Sequence, residues 1–404
     1  MKRLAPPDID PYAPGFLGEP WDAYRRLHAA GPLLWHAGHE MWLAPGHALA
    51  RELLRSPAFP VIEVGAQLAV LGQRARRGFP ALTEVLGAVA FSHNPPEHAA
   101  MRRFLVAVLN ARPISSYVPA IREIAAELAA GLRDSAQPDA VVGFADRLPP
   151  LFMARLIGIP EADLPKLLGD TAGMIQVFNR VLRLSEYREL EERAARALDY
   201  FRRLAAERRR APRDDGFARM MATPLGGQPL DDAAIARHCL VLFLVGVETT
   251  STLIGSALAR LLDEPEALGR LRREPALAEA AIEECLRLES PVQTATRIAA
   301  HDCELDGQRV RAGERVLVMF GAANRDPRSY EEPDRLRIGR GGPAHIAFGE
   351  GPHVCVGATL ARTEARVALE AFLALPPARA LGPSSWWPYD WLRRRRALRV
   401  EFGP

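Results

Sequence analysis

Apolar residues at helical spacing occupy much of the chain. The clearest segments, in which apolar side chains recur every three to four residues, are 121–136, 190–210 and 234–262. The acidic pair Asp231 and Asp232 stands where an N-cap begins the third segment, and Pro212 followed by Gly216 ends the second. We therefore predict long helices here, and we interpret the charged stretch 208–215 as a surface loop within one domain rather than a linker between two.

Shorter segments alternate between apolar and polar residues, which is typical of half-buried strands. Residues 33–45 alternate around the turn at 37–38, and residues 303–320 alternate around 306–307 and again around 312–313. Each turn contains glycine, which favours a tight connection between antiparallel strands. The pattern predicts β-hairpins at these places within a mainly α-helical protein.

Composition and charge exclude several classes of protein. The 404 residues carry 52 basic and 49 acidic side chains, a balance that does not suit a dedicated nucleic-acid binder. The four cysteines form no CxxC pair, which argues against a disulfide-stapled secreted domain. The longest apolar run, Cys239 to Val247, is shorter than the ~20 residues that span a bilayer, and the amino terminus has no signal-peptide pattern. We expect a cytoplasmic, monomeric protein with no membrane anchor.

One basic cluster stands out near the carboxy terminus. Four arginines, 393–396, follow Trp386, Trp387 and Trp391. Arginines interleaved with aromatic residues are found at nucleic-acid sites. Because no wider basic surface accompanies them, we interpret them instead as the solvated end of a carboxy-terminal strand.

A glycine-rich segment that runs into an apolar helical pattern carries the strongest chemical signal. This cysteine loop, residues 348–357, reads FGEGPHVCVG and contains Phe348, Gly349, Gly351, His353, Cys355 and Gly357. Glycines let the backbone turn tightly and approach a flat ligand, while a helix amino terminus stabilises a thiolate. The alternative interpretation is a buried structural cysteine, which is the commonest role of a free thiol. That interpretation leaves the glycines and Phe348 unexplained.

Polar residues also interrupt the most apolar helical segment. Gly246, Glu248, Thr249 and Thr250 fall where the flanking periodicity predicts burial. Burying an unpaired carboxylate costs several kcal/mol, by order of magnitude. From the residues alone, two interpretations stay open: a function, or a threonine bonded back to its own helix beside a glutamate in a salt bridge.

Further basic and acidic residues mean little by themselves. Glu284 and Arg287 are three residues apart, which brings them to one helix face, yet solvated pairs of this kind contribute only about 0 to 1 kcal/mol. His98 and Arg102 lie one helical turn apart, and Arg297 follows the stretch 291–296. A lone histidine or arginine is usually a surface or capping residue.

Taken together, these segments resemble the cytochrome P450 family. The cysteine loop fills every defining position of the family's haem-binding pattern FGxGxHxCxG, and residues 245–250 are similar to its oxygen-activating helix. The pair at 284 and 287 resembles the ExxR pair, and residues 324–340 resemble the meander that follows it. Leu336 departs from the family, where an aromatic is commoner, and this puts local packing in doubt.

The resemblance implies a role for each matching residue. Cys355 would supply the axial thiolate to haem iron, and Phe348 would pack beside the sulfur in a loop shaped by Gly349 and Gly357. The residues implied at the haem propionates are His98, Arg102, Arg297 and His353.

On the oxygen-activating helix, the resemblance implies that Thr249 hydrogen-bonds dioxygen, that Glu248 relays protons, and that Gly246 leaves a groove for oxygen. The meander would supply Arg335 as the third, buried partner of a structural ion-pair triad with Glu284 and Arg287.

The fold implied is a single domain over residues 1–404, a helical triangular prism with a small β-rich lobe near the amino terminus. The reaction implied is insertion of one oxygen atom of O2 into a C–H bond or alkene, with haem b as cofactor. Because the chain has no GxGxxG after a strand and no cysteines at cluster spacing, we expect electrons from NAD(P)H through a separate ferredoxin-type protein. Arg103, Arg362 and Arg366 are the candidates for docking it.

The substrate pocket is expected to be largely apolar, which indicates a lipophilic small molecule in secondary or catabolic metabolism. Its expected lining is the region 61–89 together with Phe243, Val247, Val292, Gln293 and Thr294. Arg74, Arg76 and Arg77 are candidates for recognising a carboxylate, as on an acidic terpenoid, fatty-acyl or polyketide substrate, although a solvated loop is the simpler interpretation.

Two other functions stay open. A peroxide-driven peroxygenase would usually replace the acid and threonine, so Glu248 and Thr249 favour the O2 route. A non-catalytic haem sensor or carrier has no need of a buried acid beside a threonine.

Overall fold

The computed structural model of the protein describes residues 3–63, 78–178, 182–389 and 391–403. Two units emerge from the packing of the chain: the first comprises residues 1–60, 118–148 and 249–404, and the second residues 61–117 and 149–248. Each unit is built from segments far apart in sequence. The single domain over 1–404 stays a prediction.

A four-stranded sheet lies in the first unit. Its strands are β1 (Leu34–His36), β2 (Met41–Ala44), β3 (Thr294–Ile298) and β6 (Arg315–Met319), in the order β1-β2-β6-β3. The predicted first hairpin is confirmed, because β1 pairs with β2 in antiparallel register. β2 runs parallel to β6, and β6 antiparallel to β3. The β-rich part therefore combines strands from both ends of the chain, which the prediction placed near the amino terminus alone.

Strand alternation sends apolar side chains to both faces of this sheet. Leu43 and Leu317 pack on one face with helix α1 (Trp21–Ala30), while Trp42 and Val316 pack on the other with helix α2 (His47–Arg55). Because both faces of β2 are covered, all four of its residues are buried. A strand buried on both faces is apolar at every position rather than at alternate ones.

Three two-stranded ladders complete the first unit. β4 (Cys303–Leu305) and β5 (Gln308–Val310) form the predicted hairpin. The remaining ladders pair β7 (Ala378–Ala380) with β10 (Val400–Phe402) and β8 (Ser385–Trp386) with β9 (Arg395–Ala397). The hairpin predicted around 312–313 is wrong: the Gly313 amide donates to Ala299 O at 2.8 Å, and the chain then joins the large sheet as β6. Four of the five residues of β6 are buried in the large sheet, and burial of apolar surface favours that pairing.

Helices form most of both units. Besides α1 and α2, those of the first unit are Val118–Arg133, Pro265–Arg273, Ala278–Leu288, Phe320–Ala323 and Ala358–Leu373. Those of the second unit are Pro80–Gly87, Glu97–Leu109, Leu148–Ile157, Leu164–Thr171, Leu184–Arg210 and Gly216–Ala222. The helix Asp232–Leu262 belongs to both units, since the boundary falls at residue 248. The three predicted long helices are confirmed.

Predicted boundaries are also confirmed at the second and third long helices. The Ala234 amide donates to Asp231 Oδ1 at 2.7 Å, as expected of an N-cap. Helix Leu184–Arg210 ends two residues before Pro212. The stretch 208–215 is not wholly solvated, because Arg208, in the last turn of this helix, is buried and donates to Asp215 Oδ2 at 2.7 Å.

One helix among the described residues, Asp232–Leu262, is by itself long and apolar enough to cross a membrane. Its most apolar window is 72% buried within the protein. Burial to that degree is what the core helix of a globular protein shows.

The carboxy-terminal arginines differ from the prediction, because two of them are buried. The Arg393 guanidinium lies 3.8 Å from the centroid of the Trp386 ring and 4.5 Å from that of Trp21, and it forms an ion pair with Glu289. The Arg395 guanidinium also lies over the Trp386 ring, 4.2 Å from its centroid. Cation–π contacts and a buried carboxylate stabilise these charges, so the segment is not the wholly solvated strand end that was predicted, although Arg396 is exposed.

Candidate active site

The cysteine loop presents Cys355 at the start of helix Ala358–Leu373. The Cys355 amide donates to Phe348 O at 2.9 Å, and the Val354 amide donates to Gly351 O at 3.1 Å, which closes the loop into a ring. Cys355 is exposed, whereas Cys239 and Cys285 are buried. Burial raises the pKa of both of those thiols, which makes them poor ligands.

Two glycines of this loop have left-handed backbone: Gly349 and Gly351 both have φ of +70°. A Cβ on Gly351 would lie 2.7 Å from Leu54 O, so only glycine lets the loop approach α2 so closely. Gly357 has room, since a Cβ there would lie 3.9 Å from Cys355 Sγ. The strictest requirement for glycine therefore falls on Gly351, which the sequence identified only as a member of the loop.

A charged cluster supports Phe348 from one side. The Arg362 guanidinium lies 4.5 Å from the centroid of the Phe348 ring and donates to both carboxylate oxygens of Glu283, at 2.6 and 3.0 Å. His345 Nε2 lies 3.2 Å from Glu283 Oε2. Burial alone would raise the pKa of Glu283, but the close contact with His345 and the hydrogen bonds from Arg362 outweigh it and lower the pKa to about 2. Sequence reasoning missed Glu283 and His345, which match no motif.

Arg297 provides a test of whether the first unit fits haem. It is 5% exposed, and burial lowers the pKa of its guanidinium to about 10. Its side chain donates to Thr296 O at 3.1 Å and forms no ion pair within the described ranges. A buried guanidinium without a carboxylate needs an anionic partner. A haem propionate would be one, and an exposed cysteine in a glycine loop is the ligand its iron takes, so these residues fit the group.

The helix Asp232–Leu262 carries the predicted oxygen-activating residues. Glu248 and Thr249 are half-buried, while the adjacent Thr250 is 4% exposed. A Cβ on Gly246 would lie 3.1 Å from Met153 Sδ, so Gly246 makes room for the Met153 side chain of a neighbouring helix in the second unit. The groove for oxygen and the proton relay stay predictions.

The other predicted propionate ligands lie in two places. His98 and Arg102 belong to helix Glu97–Leu109 of the second unit, where His98 is 4% exposed. Burial first, and then the charge of Arg102, lower the pKa of His98, which favours a neutral ring that donates one hydrogen bond. His353 lies in the cysteine loop of the first unit and is half-buried. Their binding to propionates stays a prediction.

The predicted ion pair is present, but its third partner is not the predicted one. Arg287 donates to both carboxylate oxygens of Glu284 at 2.8 Å, and both side chains are buried. Arg340 Nε donates to Glu284 Oε1 at 3.0 Å, whereas the Arg335 side chain is 69% exposed and pairs with Glu332. The prediction for Arg335 is therefore wrong. The turn at 335–340 directs the Arg340 side chain inward, whereas Arg335 contributes only its carbonyl oxygen and Arg337 its amide, which donates to Glu284 Oε1 at 3.0 Å.

The residues predicted to line the substrate pocket differ in how far they are buried. Gln293 is fully buried; its Oε1 accepts from Tyr24 OH at 2.6 Å and its Nε2 donates to Ser290 O, and its place in the substrate pocket stays a prediction. The remaining candidates range from buried to half-buried, and for them the prediction stands untested: Phe243, Val247, Val292 and Thr294. Arg74, Arg76 and Arg77 lie outside the described residues.

Comparison with known proteins places these features in a family. The sequence profile of the cytochrome P450 family matches residues 166–375. The chain is 32% identical over 379 residues to the biotin biosynthesis cytochrome P450 of Bacillus subtilis, covering 92% of each chain, and 30% identical over 416 residues to the cytochrome P450 monooxygenase PikC of Streptomyces venezuelae, covering 98% and 95%. A solved structure of P450BioI with acyl carrier protein ligated to hexadec-9Z-enoic acid aligns with a TM-score of 0.87 at 31% identity, covering 96% of this chain and 100% of that one.

Proposed function

The chain belongs to the cytochrome P450 family, and we propose that it inserts one oxygen atom from O2 into a lipophilic small molecule. Its fold is the mainly helical cytochrome P450 fold with a small β region, and it is a P450 oxidoreductase. Haem b is its cofactor, and its electrons derive from NAD(P)H through redox partners. When bound, haem supplies the iron at which dioxygen is reduced and one oxygen atom is transferred.

The single observation that carries the proposal is the cysteine loop. Its hydrogen-bonded ring fixes the Cys355 backbone, and the start of helix Ala358–Leu373 adds a positive dipole end that favours the thiolate. We propose that the Cys355 thiolate would ligate haem iron, with Phe348 packed beside the sulfur. Arg297 and His353, with His98 and Arg102, are proposed to bind the propionates.

We assign proton delivery to the helix Asp232–Leu262. Glu248 carries a carboxylate that can move a proton from solvent into the site, and the Thr249 hydroxyl can donate a hydrogen bond to dioxygen. Their half-buried positions support this, because a proton relay needs contact with water on one side.

The electron donor is proposed to be a small acidic ferredoxin. Arg362 and Arg366 already form ion pairs with Glu283 and Glu370, so reversing their charges would disturb the fold as well. Arg103 is exposed, which makes Arg103→Glu the cleaner test. We expect slower reduction by ferredoxin and a weaker salt dependence; an unchanged rate would refute docking at Arg103.

We propose a substrate with a long apolar body and an acidic or acyl end: a fatty-acyl chain, a polyketide or an acidic terpenoid. The relative in biotin biosynthesis and the P450BioI complex with a fatty acid on acyl carrier protein support the acyl choice. The balanced charge supports action on a small molecule rather than on nucleic acid, and we keep the proposal of a monomer in the cytoplasm.

The experiment that tests the proposal has two arms. A spectral-shift titration compares a fatty acid, its methyl ester and the same acyl chain on acyl carrier protein, because displacement of water from the haem iron reports binding. Turnover of the tightest ligand is then measured with NAD(P)H, ferredoxin and isotopically labelled dioxygen. We expect one labelled oxygen atom in the product. Efficient reduction without any oxygenated product across the ligand set would favour a haem sensor or carrier, and turnover with peroxide alone would favour a peroxygenase.

A further inference from the structure

We infer that Glu350 of the cysteine loop and Arg51 and Arg55 of α2 form a clamp that positions Cys355 for ligation. The inference rests on the proposed haem-thiolate function and goes beyond it, because Glu350 fills a variable position of the haem-binding pattern and neither arginine belongs to a motif that identifies the family. All three belong to the first unit.

The side chains of the clamp form two ion pairs on one carboxylate. Arg51 Nε donates to Glu350 Oε2 at 2.6 Å and Arg51 Nη2 donates to Glu350 Oε1 at 2.9 Å, a bidentate arrangement. Arg55 Nη2 also donates to Glu350 Oε1. The Glu350 side chain is 19% exposed, so water only partly screens these pairs. The hydrogen bond from Arg51 lowers the pKa of Glu350, which keeps the carboxylate ionised at neutral pH.

The main chain makes a second contact at the next residue. Gly351 approaches the last turn of α2 so closely that a Cβ there would lie 2.7 Å from Leu54 O and 3.0 Å from Arg55 Cα. The loop is therefore held to α2 by a side chain and by backbone packing at consecutive positions. A contact of this kind fixes both the position and the direction of the loop.

Hydrogen bonds carry this constraint to Cys355. The ring closed by the Cys355 amide and Phe348 O at 2.9 Å contains Glu350, and the bond from the Val354 amide to Gly351 O at 3.1 Å braces it. Glu350 cannot move away from α2 without opening or tilting this ring. The direction in which Cys355 presents its sulfur follows from the ring.

The helix that bears the arginines is itself anchored. The His47 amide, at the start of α2, donates to Asp326 Oδ2 at 2.9 Å, and Leu53 and Leu54 are buried in the core beside the sheet. Tyr330 OH lies 3.1 Å from His47 Nε2. The clamp thus ties the cysteine loop to a fixed element rather than to a flexible surface segment.

The test compares the haem-loaded wild type with Glu350→Gln, using Glu52→Gln as the matched control. Glu52 is an exposed acidic residue of α2, the helix that bears the two arginines. Glu52→Gln therefore changes the net charge by the same amount as Glu350→Gln without removing a residue of the clamp. The measured quantity is the rate at which the reduced carbon monoxide complex loses the red-shifted Soret band of thiolate ligation on mild heating. We expect Glu350→Gln to lose it about fivefold faster, as the loss of partly buried ion pairs implies, and Glu52→Gln to match the wild type.

Two further measurements separate positioning from general stability. The urea midpoint of global unfolding should change little in Glu350→Gln, and the triple variant Glu350→Gln, Arg51→Gln, Arg55→Gln should lose the band no faster than Glu350→Gln alone, because the three residues act together. The Arg55 side chain is 55% exposed, so Arg55→Gln is a milder change. This variant should fold even if Glu350→Gln does not.

Each outcome decides between the two claims. A wild type with the red-shifted band and a Glu350→Gln variant that loses it at the same rate would overturn the clamp alone. Loss of the band in step with global unfolding would show a merely structural role and would also overturn it. A wild type without the band would remove the haem-thiolate function and the clamp's role with it.

Discussion

The third partner of the buried ion pair gives a sharp prediction, because two arginines five positions apart should behave in opposite ways. Arg340 has an 8% exposed side chain and donates to Glu284 at 3.0 Å and to Arg335 O at 2.7 Å. Arg340→Met removes a hydrogen bond between charged groups that is worth about 1.5 to 3 kcal/mol. Glu284 keeps its two bonds from Arg287, so the fold should survive. Arg335→Met removes only an exposed pair with Glu332, worth about 0 to 1 kcal/mol.

The assay is urea unfolding followed by circular dichroism, with the free energy change taken from the midpoint shift at a common slope. We expect Arg340→Met to unfold at clearly lower urea than the wild type and Arg335→Met to unfold close to it. Equal midpoints for the two variants, or a larger loss for Arg335→Met, would refute the assignment. A changed slope in either variant would show that its unfolding is no longer comparable, and Arg340→Gln would then replace Arg340→Met.

Three further results are expected. Gly351→Ala should destabilise the protein by about 1 to 3 kcal/mol more than Gly313→Ala in the same urea assay, because both glycines have positive φ but only the first would press a Cβ against a backbone atom; similar losses would contradict this. Burial lowers the pKa of His238 to about 4, below its unfolded value of 6.5, so stability should fall by up to about 3 kcal/mol as pH drops from 6.5 towards 4, and His238→Phe should flatten that slope in pH-dependent melting. Arg297→Met should release haem to an acceptor protein about tenfold faster, since a propionate would lose its charged donor, and an unchanged rate would exclude Arg297 from the haem site.

Local pattern predicted the long helices and two of the three hairpins, because periodicity and turn residues act over neighbouring positions. The hairpin around 312–313 failed for a nonlocal reason. β6 pairs in parallel with β2, more than two hundred and fifty positions earlier, in the register Met41 to Arg315. No turn residue encodes that choice; the burial available on both faces of the large sheet decides it.

At the candidate site, a short motif located the cysteine loop, but its supports could not be predicted. Glu350 and Arg51 are 299 positions apart, and Arg51 belongs to a helix whose sequence shows only ordinary amphipathic spacing. Whether Arg340 or Arg335 pairs with Glu284 depends on how an irregular segment turns. Irregular segments have no sequence periodicity from which the direction of a side chain could be predicted. The hydrogen bond between Tyr24 and Gln293 could not be predicted either, because the two residues are 269 positions apart.

The central claim is that a sulfur anion on residue 355 ligates haem iron, and one absorbance measurement tests it most directly. The purified protein and its Cys355→Ser variant are reduced and exposed to carbon monoxide. Our account predicts the red-shifted Soret band in the wild type and its absence in Cys355→Ser. A wild type without that band, or a variant that retains it, would contradict the account.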